Sequence, residues 1–409
     1  MTDAKGIGKG RLFLALAALF LSSMCTLGDL VINPIVANLY EVFAGSPEWL
    51  INLGITGPAL VGLPFGLLAG VLCDRVDKKW VMVVGFAIFT VSAVFGAAIE
   101  NIYYFVALRL CATGIGWGIT NTAALAILAD LFTDEDEHGK FVGWYNSAMS
   151  IIGAIMAAVA GVLAVTAWQD AFYTYVISIP VLIMLIAFLP AFPAKKNEKA
   201  AADKTAAASA QKVEAGWWKP LIPLTIQVFF VAICYFVMLY MMALFVADSG
   251  VGDEAFTGML ASVGTIATAI GSFVFGGAYK KLKNAVYLPA LFVMGVCFVA
   301  MGLFPNPAVT IACVAIAGFF WPFYFCFFYT RCTELVPASK AGTATSIVAL
   351  SDGLAATGCS YLLTGLISAT GLTSVALWPT FGIVLFIVGA ISIVWFAATR
   401  KKNAQVAEN

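Results

Sequence analysis

Gly62-Leu-Pro-Phe-Gly66-Leu-Leu-Ala-Gly70-Val-Leu-Cys-Asp74-Arg75-Val-Asp77-Lys78-Lys79 is the stretch on which the reading of this chain turns. A glycine at every fourth position of an apolar run lines one face of a helix and leaves it flat enough for a neighbouring backbone to approach. The helix then delivers two acids and three basic residues within six positions. Apolar residues followed at once by a basic cluster are what a membrane helix shows where it reaches the cytoplasmic edge.

The rest of the chain has the same character. Of 409 residues, 62% are hydrophobic and 11% charged, where a soluble domain carries about 25% charged residues. Lys plus Arg equals Asp plus Glu at 22 each, so no charge imbalance points to nucleic acid, and no nucleic-acid partner is expected. A membrane helix needs about 20 apolar residues. Runs of that length lie at about 12–40, 48–71, 80–99, 102–129, 140–166, 171–191, 219–247, 255–279, 285–304, 308–334, 341–369 and 373–398, with helical rather than alternating periodicity. The first follows Lys5, Lys9 and Arg11, is too long for a signal peptide and has no small-residue cleavage site, so it reads as a retained first span.

Twelve spans can be tested by counting, because cytoplasmic loops retain Lys and Arg. With the N-terminus inside, 20 of the 22 basic residues fall in cytoplasmic loops and tails, and the other two, Arg109 and Arg331, lie within spans. The six external loops hold acids only, among them Glu41, Glu48, Glu100, Asp170, Asp248, Asp253 and Glu254. A wrong count would scatter the basic residues over both sides. The expectation is therefore a multi-pass protein of the cell (inner or plasma) membrane with both termini cytoplasmic. One polar segment, 194–218, divides the spans six and six, so the chain reads as an N-terminal bundle 1–193, a cytoplasmic linker 194–218 and a C-terminal bundle 219–409.

Nine cysteines without C-x-x-C spacing, almost all in apolar runs, read as small buried hydrophobes. His138, the one histidine, sits in the acidic loop Asp134-Glu135-Asp136-Glu137 and reads as solvated. No metal and no cofactor is expected. G-x-x-x-x-G-K-[ST] is absent, so ATP is not the direct energy source.

The opening stretch resembles the signature loop of the major facilitator superfamily, G-x-L-a-D-R-x-G-R-K between helices 2 and 3. Gly70, Leu72, Asp74, Arg75, Lys78 and Lys79 match, while Asp77 stands for the second Gly and Lys78 for an Arg. The resemblance implies an all-α membrane protein of twelve helices in two pseudo-symmetric six-helix bundles, a secondary transporter and not an enzyme, working by alternating access. It also implies a gate: the loop acid caps a helix of the other bundle, and the basic residue meets an acid at the end of helix 4, for which Asp130 is the match. Read alone, these charges would also serve simply to set topology. A decayed copy, Gly276-Gly-Ala-Tyr-Lys280-Lys281-Leu-Lys283, follows span 8, as two bundles related by an axis along the membrane normal predict.

Ionisable groups inside a bilayer are costly and so are functional candidates. Asp29 and Arg109 lie about 18 Å and about 12 Å in from the external side, and Asp352 about 18 Å in from the cytoplasm, at 1.5 Å per residue. Asp29 in Gly28-Asp29-Leu-Val-Ile-Asn33-Pro34, and Arg109 ahead of Gly114, resemble the helix-1 carboxylate and helix-4 arginine of proton-coupled drug exporters of the superfamily. Arg109 precedes its glycine by five residues rather than four, a shift of about 100° on an α-helix, and the exporters' Gly-Pro pair is absent from span 5. Asp29 reads either as a coupling group or as half of a static pair with Arg109. Asp352 reads either as a proton or cation site or as a packing residue bonded to Ser351 or Thr357. Arg331 and Glu334 read as an interfacial pair.

Span 10 holds nine aromatics between Phe319 and Tyr329, around Pro322. Part of that run is expected to face lipid. The rest, including Trp321 and Tyr324, would line a deformable wall with Gln227, Tyr235, Met238, Tyr240 and Met241. Asn33 and Gln227 are among the few mid-membrane amides, fewer than sugar sites need. The expected partners are a small-molecule substrate, protons and the bilayer, and the expected state is a monomer. Proton-driven export of amphipathic compounds leads; organic-anion uptake or exchange at Arg109 is the alternative.

Overall fold

The computed structural model describes residues 9–132, 135–193, 217–336 and 341–408. Lys5, Asp134, Lys340 and nearly all of the expected linker, 194–216, lie outside these, as does the side chain of His138. Among the described residues all regular structure is helical. The long helical segments are α1 (Gly10–Val42), α2 (Glu48–Arg75), α3 (Lys78–Val94), α4 (Ile102–Leu131), α5 (Glu135–Ala164), α6 (Trp168–Phe188), α7 (Leu221–Tyr240), α8 (Glu254–Leu282), α9 (Tyr287–Leu303), α10 (Pro307–Glu334), α11 (Ala341–Thr370) and α12 (Ser374–Glu408). Ten of them are long and apolar enough to cross a membrane; α3 and α9 have 17 residues each.

Local chemistry sets the ends. Asn101 and Asn306 open α4 and α10, each side-chain oxygen accepting from backbone N–H groups of the first turn, Tyr103 and Tyr104 in one case and Val309 in the other. After α7 a short helix, Met242–Ser249, closes on Gly250 at φ +66°, the left-handed cap that glycine adopts without a Cβ penalty.

The chain forms two compact units: Met1–Gln211 with Asp253–Ser262, and Lys212–Gly252 with Val263–Asn409. In the first, α4 packs on both α2 and α3. A Cβ on Gly118 would strike the carbonyl of Gly62, one on Gly66 would sit 3.3 Å from Thr122 Oγ1, and one on Gly116 would lie 2.8 Å from the backbone of Phe89. The glycine face of α2 thus meets the glycine face of α4, backbone on backbone. The same unit holds the start of α8, where Ser262 Oγ donates to the Ala154 carbonyl at 2.6 Å and Asn38 Nδ2 donates to Glu254 Oε1 at 3.0 Å.

In the second unit α9 packs on α12 and α10, and α7 on α11. Its second and fourth helices repeat the device of the first unit: a Cβ on Gly318 of α10 would lie 2.5 Å from the Gly264 carbonyl of α8. Outward faces are apolar. Ile179, Ile183 and Ile186 on α6, and Ile383, Ile387 and Ile391 on α12, are exposed at helical spacing, as surfaces that lie against lipid require.

Candidate functional site

Pro34 has no N–H to give to the turn before it, and its ring crowds that turn, so α1 is not a continuous α-helix. Met24–Leu27 is followed by 3-10 turns at Gly28–Val31 and Asn33–Ile35 before α geometry resumes at Val36. Asp29 sits in the first of these turns. Its Oδ1 forms an ion pair with Nη2 of Arg109, a residue 2% exposed. Arg109 Nε donates to the Gly54 carbonyl at 3.2 Å, and Tyr175 Oη donates to the Gly28 carbonyl at 2.6 Å.

Arg109 is itself the last α residue before a π-helical segment, Leu110–Gly116. A π turn bonds each N–H one residue farther back than an α turn does. The residue five on therefore takes the place of the residue four on. The 100° rotation expected from the five-residue spacing is accordingly corrected: the extra residue is absorbed in the winding, and the Asp29 partner and the Gly114 packing against Val61 coexist. The first half of α6, Trp168–Ile177, is 3-10 as well and supplies Tyr175. Three departures from α geometry in one bundle thus meet at one ion pair. Irregular backbone at membrane depth persists only where protein or a water-filled cavity receives its polar groups.

Asn33 is 1% exposed, in the second 3-10 turn. Nearby in the unit, Asn121 Oδ1 accepts from Thr26 Oγ1 at 3.4 Å and Tyr145 Oη at 3.5 Å, joining α1, α4 and α5.

At the loop after α2, Lys78 Nζ meets Asp130 Oδ2 at 2.6 Å at the far end of α4. Asp77 Oδ1 caps α3 by accepting from Lys79 N at 2.9 Å and also accepts from Phe192 N at 2.9 Å. Lys79 Nζ donates to the Ile186 carbonyl at 2.8 Å, in the last turn of α6, where carbonyls lack helical donors. Gly70, Asp74 and Arg75 complete the motif at the C-terminal end of α2, with Asp74 and Arg75 exposed. Sequence reasoning missed the work of Asp77, since its second partner is 115 residues away; its place just before a helix was the available signal. In the second unit the decayed copy is built differently. Tyr279 Oη donates to Glu334 Oε1 at 3.3 Å, and Arg331 Nη1 meets Glu334 Oε2 at 2.7 Å.

The Major Facilitator Superfamily model matches residues 12–358. The chain belongs to that superfamily. It is a multi-pass membrane protein with the superfamily's helical fold. It is similar to the methylenomycin A resistance protein of Bacillus subtilis (strain 168), 28% identical over 162 residues, which are 39% of this chain and 33% of that one. It is similar also to the multidrug resistance protein MdtL of Escherichia coli O81 (strain ED1a), 32% identical over 139 residues, 32% of this chain and 35% of that one. The match thus spans about a third of the length of each curated relative. Among solved structures, a peptide transporter POT superposes with TM-score 0.73 at 17% identity, over 95% of this chain and 94% of that one.

The remaining candidates lie in the second unit. Gln227 Nε2 donates to Ser392 Oγ of α12 at 2.8 Å. Trp321 stacks flat on Tyr235, ring centroids 3.9 Å apart and planes within 4°, and its other neighbours are Phe236, Tyr324 and Phe325. None of the nine aromatics of α10 is exposed. Phe319, Phe320, Phe325 and Tyr329 are half-buried and the other five are buried; the rings pack on one another and on α7, α8 and α9. The packing role given to Asp352 is corrected, because Ser351 Oγ donates to the Thr225 carbonyl and Thr357 Oγ1 to the Gly353 carbonyl, both at 3.0 Å. A cleft of about 230 Å³, lined by Trp218, Leu221, Ile222, Thr225, Ile226 and Ile347, is almost wholly apolar and includes none of the candidates.

Proposed function

We propose that the protein is a proton-driven exporter of amphipathic small molecules, with Asp29 and Arg109 as the coupling pair and Lys78 with Asp130 as part of the gate. The observation that carries it is the Asp29–Arg109 ion pair at the break in α1. Coupling needs a carboxylate that is ionised in one state and protonated in another. Arg109 close by favours the first, and withdrawal of Arg109 in an apolar surrounding favours the second. A 3-10 stretch beside a π segment supplies backbone that can change pitch around the pair without moving a whole helix. The names of the relatives, a methylenomycin A resistance protein and a multidrug resistance protein, support export of drug-like compounds. Both termini face the cytoplasm in this reading, and the protein acts as a monomer.

The test is thermal stabilisation of the purified protein by lipophilic cations (ethidium, tetraphenylphosphonium), by organic anions (steroid acids, dicarboxylates) and by sugars. A ligand at a hundred times its Kd stabilises by about 2.7 kcal/mol, a rise of a few degrees in Tm. The expected outcome is stabilisation by the cations that disappears at low pH. Stabilisation by anions that disappears in Arg109→Ala would replace the proposal with an organic-anion carrier. The existing bonds of Arg109 to Asp29 and Gly54 weigh against that outcome, since an anion would have to displace a counterion already in place.

A further inference from the structure

α11 carries a carboxyl, Asp352, whose surroundings differ from those of every other acid described in a span. Asp352 is half-buried; its Oδ1 is shut off from solvent and accepts no hydrogen bond, and none of the ion pairs among the described residues includes it. The hydroxyls on either side along the helix, Ser351 and Thr357, are turned to backbone carbonyls. α10 brings Tyr324 and Tyr329 close enough to feel its charge, with Cys332 beside Tyr329. Tyr324 is 1% exposed and its hydroxyl has no partner either. On α7, Cys234 lies near Tyr324, and Tyr235 is engaged with Trp321. From α9, Tyr287 reaches Tyr324. α12 carries no ionisable residue between Ser374 and Val394. Among the described residues, no cationic group is found facing Asp352 from these helices.

Transferring an isolated carboxylate into such a place costs far more than any one packing contact returns, and the group takes up a proton instead. We propose that Asp352 is a proton-binding site of the second unit, occupied in the resting protein and separate from the Asp29–Arg109 pair of the first. Its carboxyl O–H bond breaks, giving the proton to water and leaving the carboxylate, when motion of α10 or α11 opens the Oδ1 side to water or brings a cationic group to it. The two acids then divide the work. Asp29 rests as an ion with Arg109 beside it; Asp352 rests as a neutral acid and is the one loaded with a proton. This reading stands whether or not the exported compounds are amphipathic, because the proton is read on the carboxyl itself.

The experiment is infrared spectroscopy of the full-length protein reconstituted in lipid, in light and heavy water at neutral pH. It follows the C=O stretch of a protonated carboxylic acid. The wild type and Asp29→Asn are expected to show a deuterium-sensitive band that Asp352→Asn loses and Asp352→Glu restores at a shifted frequency. The amide of Asp352→Asn stands in for the neutral acid, so its Tm is expected within a few degrees of wild type. If that variant does not fold, the frequency shift in Asp352→Glu carries the test. A wild-type spectrum without the band overturns the proposal, as does a band unchanged in Asp352→Asn and Asp352→Glu. Loss of the wild-type band when choline chloride is replaced by sodium chloride would also overturn it, in favour of a metal-cation site.

Discussion

Asp29→Asn keeps the outline of the side chain and removes its charge, leaving Arg109 with the Gly54 carbonyl and without its counterion. Removing one partner of a buried pair typically costs about 3–5 kcal/mol, and the amide oxygen, still able to accept from Nη2, offsets part of that. The coupling role and the static role then separate in transport. In proteoliposomes loaded with ethidium, Asp29→Asn is expected to lose flux driven by a pH gradient and to retain exchange of ethidium for ethidium. Proton-driven flux at the wild-type rate in a folded Asp29→Asn would leave the pair as a structural tie. The pair was legible in the sequence because intramembrane charges are rare. The companions Gly54 and Tyr175 were not, since a backbone carbonyl and a tyrosine hydroxyl leave no distinctive pattern. The work of Asp77 was hidden for a related reason: its departure from the family's glycine makes sense only with Phe192 N in view.

The helices themselves differ in how far composition dictates them. Apolar length and glycine spacing announce α2 and its close approach to α4, and the contacts of Gly62, Gly66 and Gly118 follow from that face. The π segment after Arg109 was hidden, because no residue in Leu-Cys-Ala-Thr-Gly-Ile-Gly demands it. It arises because the residues before it must reach Asp29 and those after it must lie against α2 and α3, one residue out of α register. A deletion test follows. Removing Cys111 lets the segment rewind as α-helix with both flanks in place, so the variant is expected to fold, with Tm lowered by only a few degrees. Removing Leu125, in the regular part of α4, rotates every following residue by about 100° and breaks the Lys78–Asp130 pair; no monodisperse protein is expected. Equal collapse in both deletions would show that the π winding does not carry the extra residue.

At the scale of the molecule, the all-helical multi-pass architecture was readable because the bilayer permits few ways to hide a backbone. How the α10 aromatics divide between buried and half-buried was not, because composition alone does not say whether a ring meets lipid or another ring. Sidedness rests on charge alone: 20 of 22 basic residues fall on one side of the twelve-span arrangement, and retained Lys and Arg mark the cytoplasmic side. Two exposed positions make this testable. Lys281 lies in the last turn of α8, and Leu372 follows the end of α11. The native cysteines are free, and each is buried or partly so, so the wild-type chain gives the background for labelling by a membrane-impermeant maleimide. Leu372→Cys is expected to label in intact cells, and Lys281→Cys only after the membrane is opened. The reverse pattern would invert the protein in the membrane. The charge in the α2–α3 loop would then face outward, and the gate proposed for Lys78 and Asp130 would have to close the opposite side.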